Sequence, residues 1–399
     1  MNQIPTERTP RPKAKPIVLP KRCAPPEALV ITTAVTALLL VISLMILSVA
    51  LIVGPTDPPE NDRDHDRDNE QMQTNDKPNN STNDKPNGSG IVTKTDIQLP
   101  CATKGVSSYS FDNVKTISSA DGIESQAAAL IDVTNGKAVA GKNGSEKIYP
   151  ASMTKVMTLL VACEKATDPT ALLTITEAMA QKYRSCSTSG GKGPSVATSW
   201  TVGDQITVED ALHLVIYESD TYACWLLAEH IASSESAFVA MMNDRAKKLG
   251  ISDTTHFENC TGLYHDDHYT TCFDMATIMA AAMKNEAAKK VLTSSAQYTV
   301  DVYANGAKSE SFSMWSGWYT GRLEKYRYGK AAARYAGNGS DICLIAGKTG
   351  YETIPKYCFV TAGENDVTGT LFVCVQVGAE SPKASTDDSR EIYQKFAKY

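Results

Sequence analysis

The sequence predicts an α+β fold: an antiparallel β-sheet flanked by helices plus a mostly helical subdomain, preceded by one transmembrane helix and a disordered linker. Three observations predict it. Strand-like runs lie at both ends of the region after residue 96, helical patterns fill its middle, and Ala28 to Val53 carries no charged residue. With 399 residues, 42% hydrophobic and 21% charged, the chain holds one sizeable globular domain plus appendages. A net charge of −6 argues against a nucleic-acid partner, which needs a basic face. There is no Cys-x-x-Cys pair and no dinucleotide fingerprint. Gly347-Lys348-Thr349 fails as a phosphate loop because position 342 is Ile where the first glycine belongs. Neither a cofactor nor a metal is expected.

Residues 1–27 are polar and proline-rich, with Arg8, Arg11, Lys13, Lys15, Lys21 and Arg22 against only Glu7 and Glu27. The uncharged run 28–53, at ~1.5 Å per residue, spans roughly 39 Å, enough to cross a ~30 Å hydrocarbon core. A cleaved signal peptide has a shorter apolar stretch of about 7–15 residues. The expectation is therefore an uncleaved single-pass anchor in the cell membrane. The preceding basic residues put the N-terminus in the cytoplasm and everything after residue 54 outside. Residues 54–95 read as a tether. Asp57 to Glu70 is dominated by acids, and Thr74-Asn75-Asp76-Lys77-Pro78-Asn79 is nearly repeated from Thr82 to Asn87. So few apolar residues cannot offset the entropy of ordering. Residues 96–399 form the expected extracytoplasmic domain.

That domain opens with strand-like runs Ala127–Val133 and Lys137–Gly141, joined through Asn135-Gly136, a hairpin signal. Thr207-x-x-Asp210 has the form of a capping box and starts a helix through Tyr217. A second helix, about Thr221 to Ala232, leaves Ser219 at the break between the two. Ser236–Leu249 and Cys272–Asn285 are the next helices. Strands return at Ile342–Lys348, Tyr357–Thr361 and Thr370–Val377, and a helix from about Ser389 to Lys398 closes the chain.

The chemistry is concentrated around Tyr149-Pro150-Ala151-Ser152-Met153-Thr154-Lys155. Pro150 cannot continue a helix from before it, and the apolar residues 156, 157, 159 and 160 predict a helix starting near Ser152. Ser152 and Lys155, three apart, then share a face, where an amine can take the hydroxyl proton. The unpaired N–H groups of a helix N-terminus point at whatever Ser152 attacks. This is the pattern of an acyl-transfer nucleophile. Ser-x-x-Lys alone is a weak signal, and a second copy, Ser189 to Lys192, sits in a Ser/Gly-rich run that no helix tolerates. The first copy gains weight from Lys348-Thr349-Gly350, which follows the apolar run Ile342–Ala346, and from Ser219-Asp220-Thr221 between two helices.

From about Gln126 to Lys398 the chain resembles the low-molecular-mass penicillin-binding proteins, the serine-type D-Ala-D-Ala carboxypeptidases. The matching residues include Ile131-Asp132-Val133-Thr134-Asn135-Gly136-Lys137, Tyr149 to Thr158, and Leu227-Ala228-Glu229-His230. Phe257-Glu258-Asn259-Cys260-Thr261-Gly262-Leu263, Asp274-Met275-Ala276 and Gly347-Lys348-Thr349-Gly350-Tyr351 complete them. The resemblance implies a β-lactamase/transpeptidase-like fold with its cleft between the sheet and the helical part. It implies attack by Ser152 on the penultimate D-alanine of a peptidoglycan stem peptide, and β-lactams as covalent inhibitors. Lys155 would be the general base, kept neutral by repulsion from Lys348. Lys348 and Thr349 would hold the terminal carboxylate. Gly350 would let the substrate lie along the strand, and the Ser152 and Tyr351 N–H groups would form the oxyanion hole. Ser219 would relay a proton between Lys155 and the leaving amine. Thr221 stands where the family usually has Asn, and Cys260 where it commonly has Pro. A further β-rich C-terminal domain, frequent in the family, is expected to be missing here.

Two rivals share parts of this pattern. A serine β-lactamase needs a water-activating carboxylate, and no Glu-x-x-Leu-Asn segment lies between Ser219 and Lys348. A catalytically silent, membrane-tethered paralogue is suggested by Thr221. Of ten cysteines, nine lie on the expected outer side, an odd number, so at least one is free or pairs between molecules. Cys358 and Cys374 would lie opposite each other across a 363–369 loop, either as a disulfide or as buried thiols. His265-Asp266-Asp267-His268 has metal-ligand residue types but reads as a solvated turn.

Overall fold

The residues of the main sheet alternate between two hydrophobic clusters, so both its faces are covered. The computed structural model describes residues 97–397 apart from 106–107, 187–193, 295–296, 317–333 and 338–339. The tail, the charge-free run, the linker and the second Ser-x-x-Lys copy lie outside the described residues. The sheet comprises β1 (Lys115–Thr116), β2 (Ala127–Asp132), β3 (Lys137–Lys142), β8 (Arg334–Gly337), β9 (Ser340–Glu352), β10 (Lys356–Asn365) and β11 (Leu371–Ala379). Their order across it is β1-β3-β2-β11-β10-β9-β8, and every pairing is antiparallel except β1 with β3.

In β2, Ala127, Ala129 and Ile131 face one cluster while Ala128 and Leu130 face the other. In β11, Val373, Val375 and Val377 face the first, and Phe372 and Cys374 the second. A period of two puts successive side chains on opposite faces, so strands apolar at every position must be covered twice. The closing helix α8 (Pro382–Phe396) covers one face with Ile392, Tyr393 and Phe396. The other face packs on the helical part. This contains α1 (Lys155–Lys165), α2 (Glu177–Ser185), α3 (Val208–Tyr217), α4 (Thr221–Ala232), α5 (Glu235–Lys248), α6 (Cys272–Met283) and α7 (Glu286–Thr293). Helix α1 is buried from Lys155 to Cys163 and runs through the middle of this cluster. Among the described residues no helix is long and apolar enough to cross a membrane.

The α+β expectation holds, with differences of detail. The Thr207–Asp210 capping box forms, with both reciprocal bonds, and α4 has the expected bounds. Helix α8 begins seven residues earlier than expected, because Ser381 caps it through Ala384 N and Pro382 fits its first turn. The middle of the chain is not purely helical. A second antiparallel sheet, β4-β5-β6-β7, is formed by β4 (Leu172–Thr174), β5 (Asp204–Thr207), β6 (Tyr298–Ala304) and β7 (Ala307–Met314). The β10–β11 register also departs from expectation: Cys374 pairs with Thr361, and Cys358 and Cys374 belong to clusters on opposite faces. None of the nine cysteines from Cys101 onward, all among the described residues, is in a disulfide.

Candidate active site

Ser152 does not start an α-helix. It sits in a 3₁₀ turn, Ala151–Thr154, that runs directly into α1. Ala151 has a φ of 48°, a left-handed conformation that costs a non-glycine residue roughly 1–2 kcal/mol. Two glycines pack against this turn from different elements. A Cβ on Gly262 would fall 1.9 Å from the Ala151 carbonyl oxygen, and Gly262 itself has a φ of 83°. A Cβ on Gly350 would lie 3.3 Å from Ser152 N, Ala151 Cβ and the Pro150 oxygen. Backbone therefore approaches backbone on both sides of the nucleophile turn, and only glycine permits the approach at 262.

Lys155, the first residue of α1, is 2% exposed. Its Nζ lies 3.2 Å from Ser152 Oγ and donates to the Thr261 carbonyl at 2.7 Å. Burial lowers the amine's pKa, opposed by the nearby Cys224 and Cys260 thiols and the Asp220 and Glu352 carboxylates. Desolvation, not the expected repulsion from Lys348, is the leading cause.

The other two motifs meet each other. Lys348, buried in β9, donates from Nζ to Ser219 Oγ at 3.1 Å and to the Thr349 carbonyl at 2.9 Å. Ser219 occupies the break between α3 and α4 with a φ of 57°, a second strained non-glycine residue in the cleft. The bond observed at the Ser219 hydroxyl is thus to Lys348, whereas the expected relay runs to Lys155. Lys348, Gly350 and Glu352 are buried, while Thr349 is half-buried and Tyr351 exposed, its ring packed on Tyr357 at 4.6 Å between centroids. Thr221 is buried as the first residue of α4, and its N–H is tied to the Ser195 carbonyl at 2.9 Å.

Three further residues support the site: Asp220, His268 and Asn259. Asp220 caps α4 through Ala223 N at 2.8 Å and also accepts from Ala197 N and Trp200 Nε1, at 2.7 and 2.9 Å. Burial pushes its carboxyl up, and those donors pull it back. His268, expected in a solvated turn, is buried: Nδ1 accepts from Glu258 N at 3.1 Å, and Nε2 lies 2.8 Å from Thr154 Oγ1 in the nucleophile turn. A ring nitrogen that accepts from a backbone N–H carries no proton, so Nε2 is the protonated one. Burial, then repulsion from His256 and His265, pushes this imidazole down to about 3. His265, Asp266 and Asp267 are exposed as expected. Asn259 is the third, its side-chain amide bonded to Thr261, Gly262 and Leu263. The sequence signal for Asp220 was available in the helix-cap preference of Asp; nothing local marks His268.

A buried amine beside a serine hydroxyl, with a second lysine–serine pair on the adjoining strand and helix break, is an arrangement chemically suited to serine acyl transfer. The fold agrees. A crystal structure of the Streptomyces K15 DD-transpeptidase matches with a TM-score of 0.57 at 23% identity, covering 68% of this chain and 95% of that one. Penicillin-binding protein 5 from Haemophilus influenzae matches at 0.53 and 22%, covering 68% and 70%. Residues 114–376 match the D-alanyl-D-alanine carboxypeptidase family of serine peptidases, and the chain belongs to it. Among curated relatives, the D-alanyl-D-alanine carboxypeptidase DacF of Bacillus subtilis is 30% identical over 260 residues, 65% of this chain and 59% of that protein. DacC of Escherichia coli is 34% identical over 159 residues, 40% of this chain and 39% of that protein. The chain thus spans about three fifths or less of the length of these relatives.

Proposed function

We propose that the chain is a serine-type D-Ala-D-Ala carboxypeptidase that removes the terminal D-alanine from peptidoglycan stem pentapeptides. The observation that carries this reading is the 3.2 Å approach of the buried Lys155 amine to Ser152 Oγ. Lys155, whose burial favours the neutral amine, takes the Ser152 proton as the hydroxyl attacks the penultimate D-alanine carbonyl. The Ser152 and Tyr351 N–H groups receive the developing oxyanion; removing one such donor typically costs roughly 3–4 kcal/mol of transition-state stabilisation. The Lys348 ammonium and Thr349 hydroxyl bind the substrate's terminal carboxylate, and Gly350 admits its backbone beside β9. Ser219, held by Lys348, relays the proton taken up by Lys155 to the leaving amine, and Thr221 contacts the substrate at the helix break. Water then hydrolyses the acyl-enzyme; β-lactams stall there as covalent inhibitors.

The charge-free run 28–53 supports a single-pass anchor with its basic N-terminal tail (1–27) in the cytoplasm. The acidic linker 54–95 would then tether an extracytoplasmic domain, 96–399, to the cell membrane within reach of the wall.

Release of D-alanine from a pentapeptide substrate tests the proposal: the wild-type protein releases it and Ser152→Ala does not. Equal release by both would refute it. Fast turnover of benzylpenicillin, rather than a long-lived acyl-enzyme, would favour a β-lactamase. Thr221 in place of Asn favours one further reading, a protein that acylates without turning over. That protein would label with penicillin yet release no D-alanine.

A further inference from the structure

We propose that Asn259 is a positioning residue for acyl transfer, its side-chain amide fixing the Thr261 carbonyl that orients the Lys155 amine toward Ser152. This rests on the roles of nucleophile and base given above to Ser152 and Lys155. Asn259 Oδ1 accepts from Thr261 N at 3.1 Å, from Thr261 Oγ1 at 3.0 Å and from Gly262 N at 2.7 Å. Its Nδ2 donates to the Leu263 carbonyl at 2.9 Å. Three donors on one atom and an acceptor on the other leave the amide a single orientation. The loop 259–263 is thereby closed on one side chain.

Two atoms of that loop reach the chemistry. The Thr261 carbonyl accepts from Lys155 Nζ at 2.7 Å, and Gly262 packs against Ala151, whose neighbour is the nucleophile. A neutral amine has two N–H donors and one lone pair. Engaging one N–H with a fixed carbonyl sets the rotation about Cε–Nζ, which decides whether the lone pair faces Ser152 Oγ 3.2 Å away. None of these Asn259 bonds goes to either residue, so it acts through the loop. Asn243 supplies a natural control. It holds the same segment further upstream, donating from Nδ2 to the Phe257 carbonyl and accepting from Phe257 N on Oδ1, both at 2.9 Å. None of those bonds involves residues 261–263.

The test measures the acylation rate constant with fluorescent penicillin across pH, alongside the melting temperature. It uses the full chain as wild type, Asn259→Ala, Asn259→Asp and Asn243→Ala. Asn259→Ala is expected to lose about tenfold or more from the high-pH plateau, since misplacing a reacting group by ~1 Å can cost about a hundredfold. Asn259→Asp keeps the acceptor oxygen and should recover to within about threefold of wild type. Its added carboxylate favours the ammonium form of Lys155, so the acidic limb of its profile should move to higher pH. Asn243→Ala should melt earlier with plateau and limb unmoved. Wild-type acylation by Asn259→Ala would overturn the proposal. So would equal losses in Asn259→Ala and Asn243→Ala with no rescue by Asn259→Asp, because the amide would then be only a loop staple. A folded wild type that takes no label would instead refute the acyl-transfer reading itself, and this inference with it.

Discussion

Replacing Gly262 by alanine removes no contact and adds a single methyl group, yet it should damage both the fold and the site. Alanine at a φ of 83° costs roughly 1–2 kcal/mol. The new Cβ would lie 1.9 Å from the Ala151 carbonyl oxygen, 2.5 Å from its carbon and 3.0 Å from Ser152 N. These are backbone atoms, so relief requires moving the loop, the nucleophile turn, or both. Overpacking of this kind typically costs about 1–3 kcal/mol. The two terms together give about 2–5 kcal/mol, or roughly 4–20 °C in melting temperature for a large domain. Because the turn carries Ser152 and the loop carries the carbonyl that holds Lys155, either movement misaligns the pair, and acylation by fluorescent penicillin should fall about a hundredfold. Gly250→Ala isolates the conformational term. Gly250 has a φ of 75° and nothing within 4 Å of a built Cβ, so this variant should lose only about 1–2 kcal/mol and keep its acylation rate. If Gly262→Ala melts and acylates like Gly250→Ala, the close approach of Gly262 to the nucleophile turn is not what holds Ser152 in place.

Further outcomes are expected elsewhere. The acylation rate should fall as pH drops through the Lys155 transition, centred below the ordinary lysine value of 10.5 because burial disfavours the ammonium. Lys155→Arg, permanently charged, should abolish labelling at every pH where the protein is folded. His268 titrates near 3 when folded and near 6.5 when unfolded. The unfolded chain therefore binds the extra proton between those values, and stability should decline as pH falls from about 6.5 toward 3. The full difference is on the order of 4–5 kcal/mol. Urea titrations from pH 7.5 to 4 should show a flatter dependence in His268→Gln, and an unchanged one would contradict the buried neutral ring. Asp220→Ala leaves Ala197 N, Trp200 Nε1 and Ala223 N without their acceptor, and should cost about 3 kcal/mol or more in chemical denaturation.

The elements legible in the sequence are those whose local signal agrees with their tertiary role. Thr207 and Asp210 form a capping box on the page and in space, and β2 and β11 read as strands because both of their faces are apolar. The hairpin β6–β7 was also legible, since Tyr298, Val300 and Val302 alternate with more exposed residues up to Asn305-Gly306, a two-residue turn signal. Its second strand, β7, is polar and largely exposed and so lacks the alternation that marks β6. In the site, Ser152, Lys155, Ser219 and Lys348 stand out as short motifs whose chemistry depends on residue type. The turn that presents Ser152 does not. The left-handed Ala151 packs against Gly262, more than a hundred residues away, and no local pattern encodes it. The burial of His268 is hidden from the sequence for the same reason. Its three chain predecessors are exposed, and only the partner at Thr154 explains its burial. The Cys358–Cys374 pairing failed on register: counting across an assumed loop shifts the partner of Cys374 away from Thr361, and such a slip turns side chains to the wrong face.

Mass analysis of peptides from protein treated with benzylpenicillin tests the central claim most directly. One covalent adduct is expected, on the peptide containing Ser152, formed by the wild type and absent from Ser152→Ala. An adduct on another serine, or equal labelling of both proteins, would contradict it.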